Sequence, residues 1–402
     1  MVAMCTVVSS CVGSLDGPPS LEPSEQHSGV EGISLPDPIS AESQSAEEAF
    51  VQLIGDQVQR LSLRDQVASL VIVTVGHNDV LTTEAGYQDL PLGGFLLLRD
   101  NFEDWPDRAQ QMTGAFRGLT SPAPLIAVDQ EGPPIRRIPT DDLPGHRELA
   151  DASEGEVTAV FRERNALVQQ LGATVNFGLV ADLGVDSSSY ISSRTFGADP
   201  VDVSRRVEWA LAGTAPGVAQ TLKHFPGHGM TREDSHRTLP TADLSFSEWR
   251  QSHALPFEAG IAAGAPLVMM GHIIVPAVSS SPASLSAEWV QILREDLAFS
   301  GVVVTDDISM LLESSPGLYS DPAEVVSRAL TAGVDLVIYS ANEVPEDSPV
   351  RYAELVDDVL ARIESGELSA DRVAEAARRV LALRSLLGGV QGSVDYSVLG
   401  QF

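Results

Sequence analysis

The chain has 402 residues, a formal net charge of −31 and a hydrophobic fraction of 43%. That length suits one large α/β barrel with a tail, and the apolar fraction is enough to bury a sizeable core. The acidity excludes bulk attraction to nucleic acid or to an anionic membrane, and it is compatible with a neutral, sugar-like substrate.

Both cysteines, Cys5 and Cys11, precede the expected folded body, so no disulfide framework and no cysteine-based metal site is expected in the core. Val8-Ser9-Ser10-Cys11 resembles a bacterial lipobox. What precedes it is shorter than a complete signal peptide and lacks its basic residues. Two readings stand. In one, a lipid anchor at Cys11 is the single route to a membrane and the protein is at the cell envelope or secreted. In the other, the cysteines are incidental and the protein is cytoplasmic. Residues 12 to 45 are rich in Ser, Pro, Glu and Gly, and no Lys or Arg occurs before Arg60. This composition reads as a disordered acidic tether. The expected organisation is a tail and tether over 1–45, a single body over 46–390 and a short C-terminal tail over 391–402. No apolar run after the tail is long and pure enough to span a bilayer.

From there, short apolar runs alternate with amphipathic stretches. Expected strands are Ser69–Val75, Gly93–Leu98, Pro124–Asp129, Thr174–Val180, Ala219–His224, Leu267–Ile274, Gly301–Thr305 and Val334–Tyr339. Most are continuous in Val, Ile and Leu, as buried parallel strands are. Helices are expected over Pro106–Arg117, Glu154–Leu171, Pro200–Ala212, Ser247–Ala263, Ala287–Ala298 and Pro322–Ala332, then Arg351–Ser365 and Ala370–Leu387. Several are followed directly by Gly, a common stop signal. The pattern predicts an α/β fold, a TIM-like (β/α)8 barrel forming a single domain with inserted loops. An open doubly wound sheet is the alternative, although no G-x-G-x-x-G follows the first strand.

In a barrel, chemistry collects at the C-terminal ends of the strands. Here those ends carry Asp129-Gln130-Glu131, Asp182, Lys223-His224, His272 and Asp306-Asp307. Lys223 is singular: of 25 Lys and Arg residues it is the one lysine. A compact ammonium kept where every other cation is a guanidinium points to a tight polar pocket. Each candidate has a structural alternative. Asp129 and Glu131 fit either a site or pairing with Arg136 and Arg137. Asp182 fits a site or a turn, and His272 a site or a satisfied core position. Of the adjacent Asp306 and Asp307, one at most is expected to face the barrel mouth, the other capping a helix or bonding a loop. His224 and His228 have the spacing of zinc-binding helices, but Pro226-Gly227 between them opposes a helix, so no metal is expected. Asp234-Ser235-His236 is a loop motif in which the carboxylate can bond the imidazole and make His236 a proton shuttle; an incidental surface pair reads equally well.

Lys223-His224-Phe225-Pro226-Gly227-His228-Gly229, followed by Asp234-Ser235-His236 and Leu239-Pro240, resembles the bacterial β-N-acetylglucosaminidases of glycoside hydrolase family 3, the NagZ-like group. Val128-Asp129-Gln130-Glu131-Gly132, Ser193-Arg194-Thr195-Phe196-Gly197, Pro282-Ala283-Ser284-Leu285-Ser286 and the stretch from Gly301 to Met310 carry the same resemblance. It implies a TIM-like barrel and a retaining exo-glycosidase without a cofactor, acting as a monomer on a small carbohydrate or muropeptide. It places Asp306 as nucleophile, His236 as general acid/base with Asp234 as its partner, and Asp129, Arg137, Arg194, Lys223, His224 and Asp182 in the sugar cradle. One departure stands out. The family reads Asp-x-Glu-Gly-Gly-Arg-Val-x-Arg after the third strand, and this chain has Pro133-Pro134 in place of the second Gly and the first Arg. Two prolines stiffen that loop and remove two N–H donors. The resemblance also leaves open a phosphorylase, a broader β-glycosidase or a non-catalytic sugar-binding lipoprotein.

Overall fold

The computed structural model describes residues 41–75, 85–340, 348–388 and 394–402. Cys11 and the tether up to residue 40 lie outside the described residues. The chain separates into two units, Met1–Gln44 and Ser45–Phe402. Of the first, only the backbone of residues 41–44 is described, and it is helical. The barrel belongs to the second.

Eight parallel strands close on themselves in sequence order: β1 (Val71–Thr74), β2 (Gly94–Leu97), β3 (Leu125–Val128), β4 (Val175–Val180), β5 (Ala219–Phe225), β6 (Leu267–Met270), β7 (Val302–Asp307) and β8 (Leu336–Tyr339). β8 pairs with β1 through Val71↔Val337 and Ile72↔Ile338, which closes the ring. This is the (β/α)8 barrel expected from the alternation of apolar runs. Strands buried on both faces need no polar positions, and all of β1 to β6 is buried.

The regular ladder breaks at informative places. The β5–β6 register shifts between Leu222 and Phe225, and the β7–β8 register shifts between Val304 and Asp307. These shifts bracket Lys223-His224 and Thr305-Asp306. In an unbroken strand neighbouring side chains point to opposite faces; an irregularity re-aims them. Lys223 and His224 accordingly both reach the polar cluster at the barrel mouth.

The helices form where sequence supplies both ends. Glu154–Leu171 starts on a capping box, with the Ser153 N–H donating to Glu156 at 2.9 Å, and stops at Gly172 with φ 85°. Asp199 and Asp321 cap Pro200–Ala212 and Pro322–Ala332, each helix having proline in its first turn. Two expected helices are interrupted. Ser247–Ala263 is two helices, Phe246–Gln251 and Ala254–Ala262, broken at Ser252-His253. Ala287–Ala298 is an α-helix to Gln291 and then a π-turn over Ile292–Asp296. Helices Ala41–Arg60 and Leu63–Ala68 were not among the expected elements, and the first begins before residue 46.

At the N-terminal rim, buried Asp335 accepts hydrogen bonds from Arg294 (2.5 Å), Arg372 (2.8 Å) and Arg379 (2.8 Å) and from the Val303 N–H (3.0 Å). This ties the C-terminal helix Ala370–Gly388 to the bottom of the barrel. The end of the chain docks too: Leu399 is buried, and the Phe402 ring meets Phe50 edge-on.

Candidate active site

The centre of the site is a layered charge network. Lys223, near the end of β5, donates to Asp129 Oδ1 at 2.9 Å and lies 2.8 Å from Glu131 Oε1. Arg194 grips the same Glu131 with two hydrogen bonds, 2.9 Å from Nε and 2.7 Å from Nη2. Arg137 Nη2 lies 3.6 Å from the other Asp129 oxygen. Burial opposes the Glu131 charge, but Arg194 and Lys223 outweigh it and hold the carboxyl well below the usual range. Burial likewise opposes the Lys223 charge, and Asp129 and Glu131 overcome it and push the ammonium up. The side chains of Lys223 and Glu131 are 3% and 2% exposed, whereas those of Asp129 and Arg137 are 19% and 17% exposed. The inner pair therefore supports an outer pair that meets solvent.

Glu131 thus pairs with Arg194 and Lys223 rather than with Arg136 or Arg137. Arg136 turns to the Asp141 carbonyl and to Asp142. The loop bearing Pro133-Pro134 keeps its shape through Gln130, whose Oε1 accepts from the backbone N–H groups of Arg137 and Ile138, both at 2.9 Å. Gln130 Nε2 donates to Asp141 at 2.6 Å, and Asp141 is paired with fully buried Arg164 at 2.8 Å. Three side chains therefore fix the backbone at Arg137 without the two lost N–H donors. Asp141 and Arg164 carry no sequence signature, because they act across separated segments.

Asp182, just beyond β4, organises the second side. Its Oδ2 accepts from His224 Nδ1 at 2.7 Å and from the His224 backbone N–H at 3.2 Å. Its Oδ1 accepts from the His228 N–H at 2.6 Å. Burial disfavours its charge, yet His224 and His228 keep its pKa lowered. Nδ1 of His224 is thereby the protonated nitrogen, and Nε2 faces Arg194 at 3.5 Å.

Asp306 and Asp307 divide as adjacency requires. Asp307 accepts from Ser309 N–H (3.0 Å) and Oγ (2.5 Å) and from Ser340 N–H (3.0 Å) and Oγ, which makes it the loop-bonding member. Burial, helped by the Asp306 charge, pushes its pKa to about 7 despite those donors. Burial also acts on Asp306, but there His224, His272, the Asp307 N–H and Lys223 outweigh it and hold the pKa at about 2. Buried His272 donates from Nε2 to the Asp307 carbonyl at 2.9 Å and accepts at Nδ1 from Ser284 at 2.7 Å. It is both a satisfied core histidine and a neighbour of the carboxylate.

His236 is exposed, on a loop over this cluster, and its ring meets Tyr190 edge-on at 5.8 Å. Tyr190 feels the charges of Asp234 and Asp306 together, so the loop and the end of β7 border one site. The expected carboxylate–imidazole bond is not formed here. Asp234 Oδ1 accepts from the His236 backbone N–H at 3.0 Å, and Oδ2 faces Arg237 at 3.7 Å. The reason is local: an aspartate readily bonds the N–H two residues on, closing an Asx turn, and the spacing that suggests a dyad is also the spacing of that turn.

A closed parallel barrel with carboxylates, cations and imidazoles gathered at the C-terminal ends of β3, β4, β5, β6 and β7 is the architecture of a TIM-barrel enzyme. The chain belongs to glycoside hydrolase family 3, whose "Glycosyl hydrolase family 3 N terminal domain" matches residues 62–383. It is 34% identical to a Beta-hexosaminidase of Stenotrophomonas maltophilia (strain K279a) over 315 residues, 75% of this chain and 88% of that protein. Among solved structures it is similar to a glycoside hydrolase family 3 beta-N-acetylglucosaminidase from Paenibacillus sp. str. FPU-7, with TM-score 0.75 and 28% identity over 83% of this chain. This chain spans 64% of that one. It also resembles the Beta-N-acetylhexosaminidase from Beutenbergia cavernae DSM 12333, with TM-score 0.70, 29% identity, and coverage of 81% and 98% of the two chains.

Proposed function

We propose that this family 3 enzyme is a retaining exo-β-N-acetylhexosaminidase that removes terminal β-linked N-acetylglucosamine from small cell-wall fragments. The observation that carries the reading is Asp306: a carboxylate at the end of β7, held ionised at about 2, beside a cradle of paired carboxylates and cations. Asp306 attacks the anomeric carbon and forms a glycosyl ester as the aglycone oxygen leaves. His236, as imidazolium, gives that oxygen its proton; as imidazole it then takes a proton from water, whose oxygen displaces Asp306. Asp129 and Arg137 present polar atoms to the sugar hydroxyls. Lys223 has three N–H donors and uses two on Asp129 and Glu131, leaving one for substrate. Arg194, His224 and Asp182 complete the cradle. The names of the relatives support the hexosamine specificity.

The test is hydrolysis of an aryl N-acetyl-β-glucosaminide followed by proton NMR, with the β-anomer as first product. In His236→Ala, kcat/KM is expected to fall on the order of 10²-fold or more for an unactivated disaccharide and far less for a dinitrophenyl leaving group. Equal losses on both substrates would remove His236 from the acid/base role. Formation of sugar 1-phosphate when phosphate is added would assign a phosphorylase, and sugar binding without turnover a binding protein. The lipobox-like sequence at Cys11 supports a lipid anchor and with it placement at the cell envelope; a wild-type protein that takes up no fatty-acid label would refute it.

A further inference from the structure

We propose that His228 and Ser235 form a latch that holds the His236 loop over the sugar-binding residues, so that His228 is a positioning residue for proton transfer. The inference rests on His236 being the acid/base. The loop offers few inward anchors: Arg232, Glu233, His236, Arg237 and Thr238 are exposed, while Ser235 is 4% exposed. Its hydroxyl lies 2.8 Å from Nε2 of His228, itself 2% exposed. Nδ1 of His228 is buried without a partner. An unpaired buried N–H costs more than an unpaired lone pair, so the proton is on Nε2 and the imidazole donates to Ser235 Oγ.

The anchor itself cannot drift. The His228 N–H is held by Asp182, whose other oxygen orients His224 in the cradle. Trp249 Nε1 donates to the Pro226 carbonyl at 2.8 Å. A Cβ on Gly229 would run into the Leu183 carbonyl oxygen, so the backbone after His228 is pressed against the segment that follows β4 as only glycine allows. The rings of His228 and His236 flank the same Tyr190, at 6.2 Å and 5.8 Å. One carboxylate, Asp182, therefore joins sugar recognition to the placement of the proton donor one residue beyond Ser235. Burial lowers the His228 pKa to about 4, so the latch keeps one protonation state near neutral pH.

The test compares Ser235→Ala, Ser235→Thr and His228→Gln with His236→Ala on two substrates, diacetylchitobiose and a dinitrophenyl N-acetyl-β-glucosaminide. Ser235→Ala is expected to lower kcat/KM for the disaccharide about tenfold, with single-turnover cleavage of the dinitrophenyl sugar within about twofold of wild type. Inhibition by free N-acetylglucosamine should be unchanged, which a collapsed cradle would not allow. Ser235→Thr keeps the hydroxyl and His228→Gln keeps an N–H donor, so both should restore most of the disaccharide rate. Equal losses on the two substrates, or none, would overturn the latch. If His236→Ala itself shows no dependence on the leaving group, the acid/base assignment fails and the latch with it. If His236→Ala shows it and Ser235→Ala does not, only the latch fails.

Discussion

Replacing Asp306 with alanine is expected to lower kcat/KM on an aryl N-acetyl-β-glucosaminide on the order of 10⁴-fold or more, with the fold intact. The size follows from the chemistry. The adjacent carboxylate, Asp307, does not stand ready to replace it, being committed to Ser309 and Ser340. Nor does the loss reflect a titration near neutral pH: with its pKa held at about 2, Asp306 is an anion at pH 4 and above. Wild-type kcat/KM, followed down to about pH 4, should show no ionisation assignable to this group. Added azide should enter the space left by the carboxylate and give the α-glycosyl azide, the inverted product. Turnover within tenfold of wild type by a folded Asp306→Ala protein would remove the nucleophile and the retaining mechanism with it.

The barrel was legible because its strands are buried on both faces, which forces continuous apolar runs such as Val302-Val303-Val304. The helices that match their expected bounds are those with a cap at the start and a glycine at the end, as in Glu154–Leu171. What was hidden depends on backbone hydrogen bonds that no side chain announces. The π-turn at Ile292–Asp296 has the same apolar spacing as an α-helix. The break at Ser252-His253 sits where His253 packs on Gly227 of the β5 loop, a contact across 26 residues of chain that periodicity cannot register. In the site, Lys223 stood out by composition, and Asp129, Asp182, Arg194 and His224 by the strand ends and the motif. Asp141 and Arg164 did not, because their work is to hold other residues; Gln130 and His228 lay in the motifs, but nothing in the sequence showed what they hold. The reading of Asp234 as a partner of the His236 ring shows the limit of spacing: two residues apart, the backbone N–H is the nearer donor.

Lys223→Met is the substitution expected to cost most in stability. Its ammonium lies between two carboxylates, at 2.9 Å and 2.8 Å, and one of them, Glu131, is nearly inaccessible to solvent. Removing the shared cation takes one of two partners from each carboxylate without leaving either wholly unpaired, a loss of about 1–3 kcal/mol. For a domain of this size that lowers Tm by roughly 2–6 °C. Glu131 would keep Arg194, so the damage concentrates on Asp129, which retains only the longer contact to Arg137. Asp129 is the carboxylate that meets solvent, and the variant should therefore also bind N-acetylglucosamine at least about tenfold more weakly. Lys223→Arg should rescue neither property: a planar fork with five donors cannot replace a point charge reaching two carboxylates from one atom. A Lys223→Arg protein with wild-type Tm and affinity would show that the single lysine of this chain answers to charge alone, and the layered network would lose its central argument.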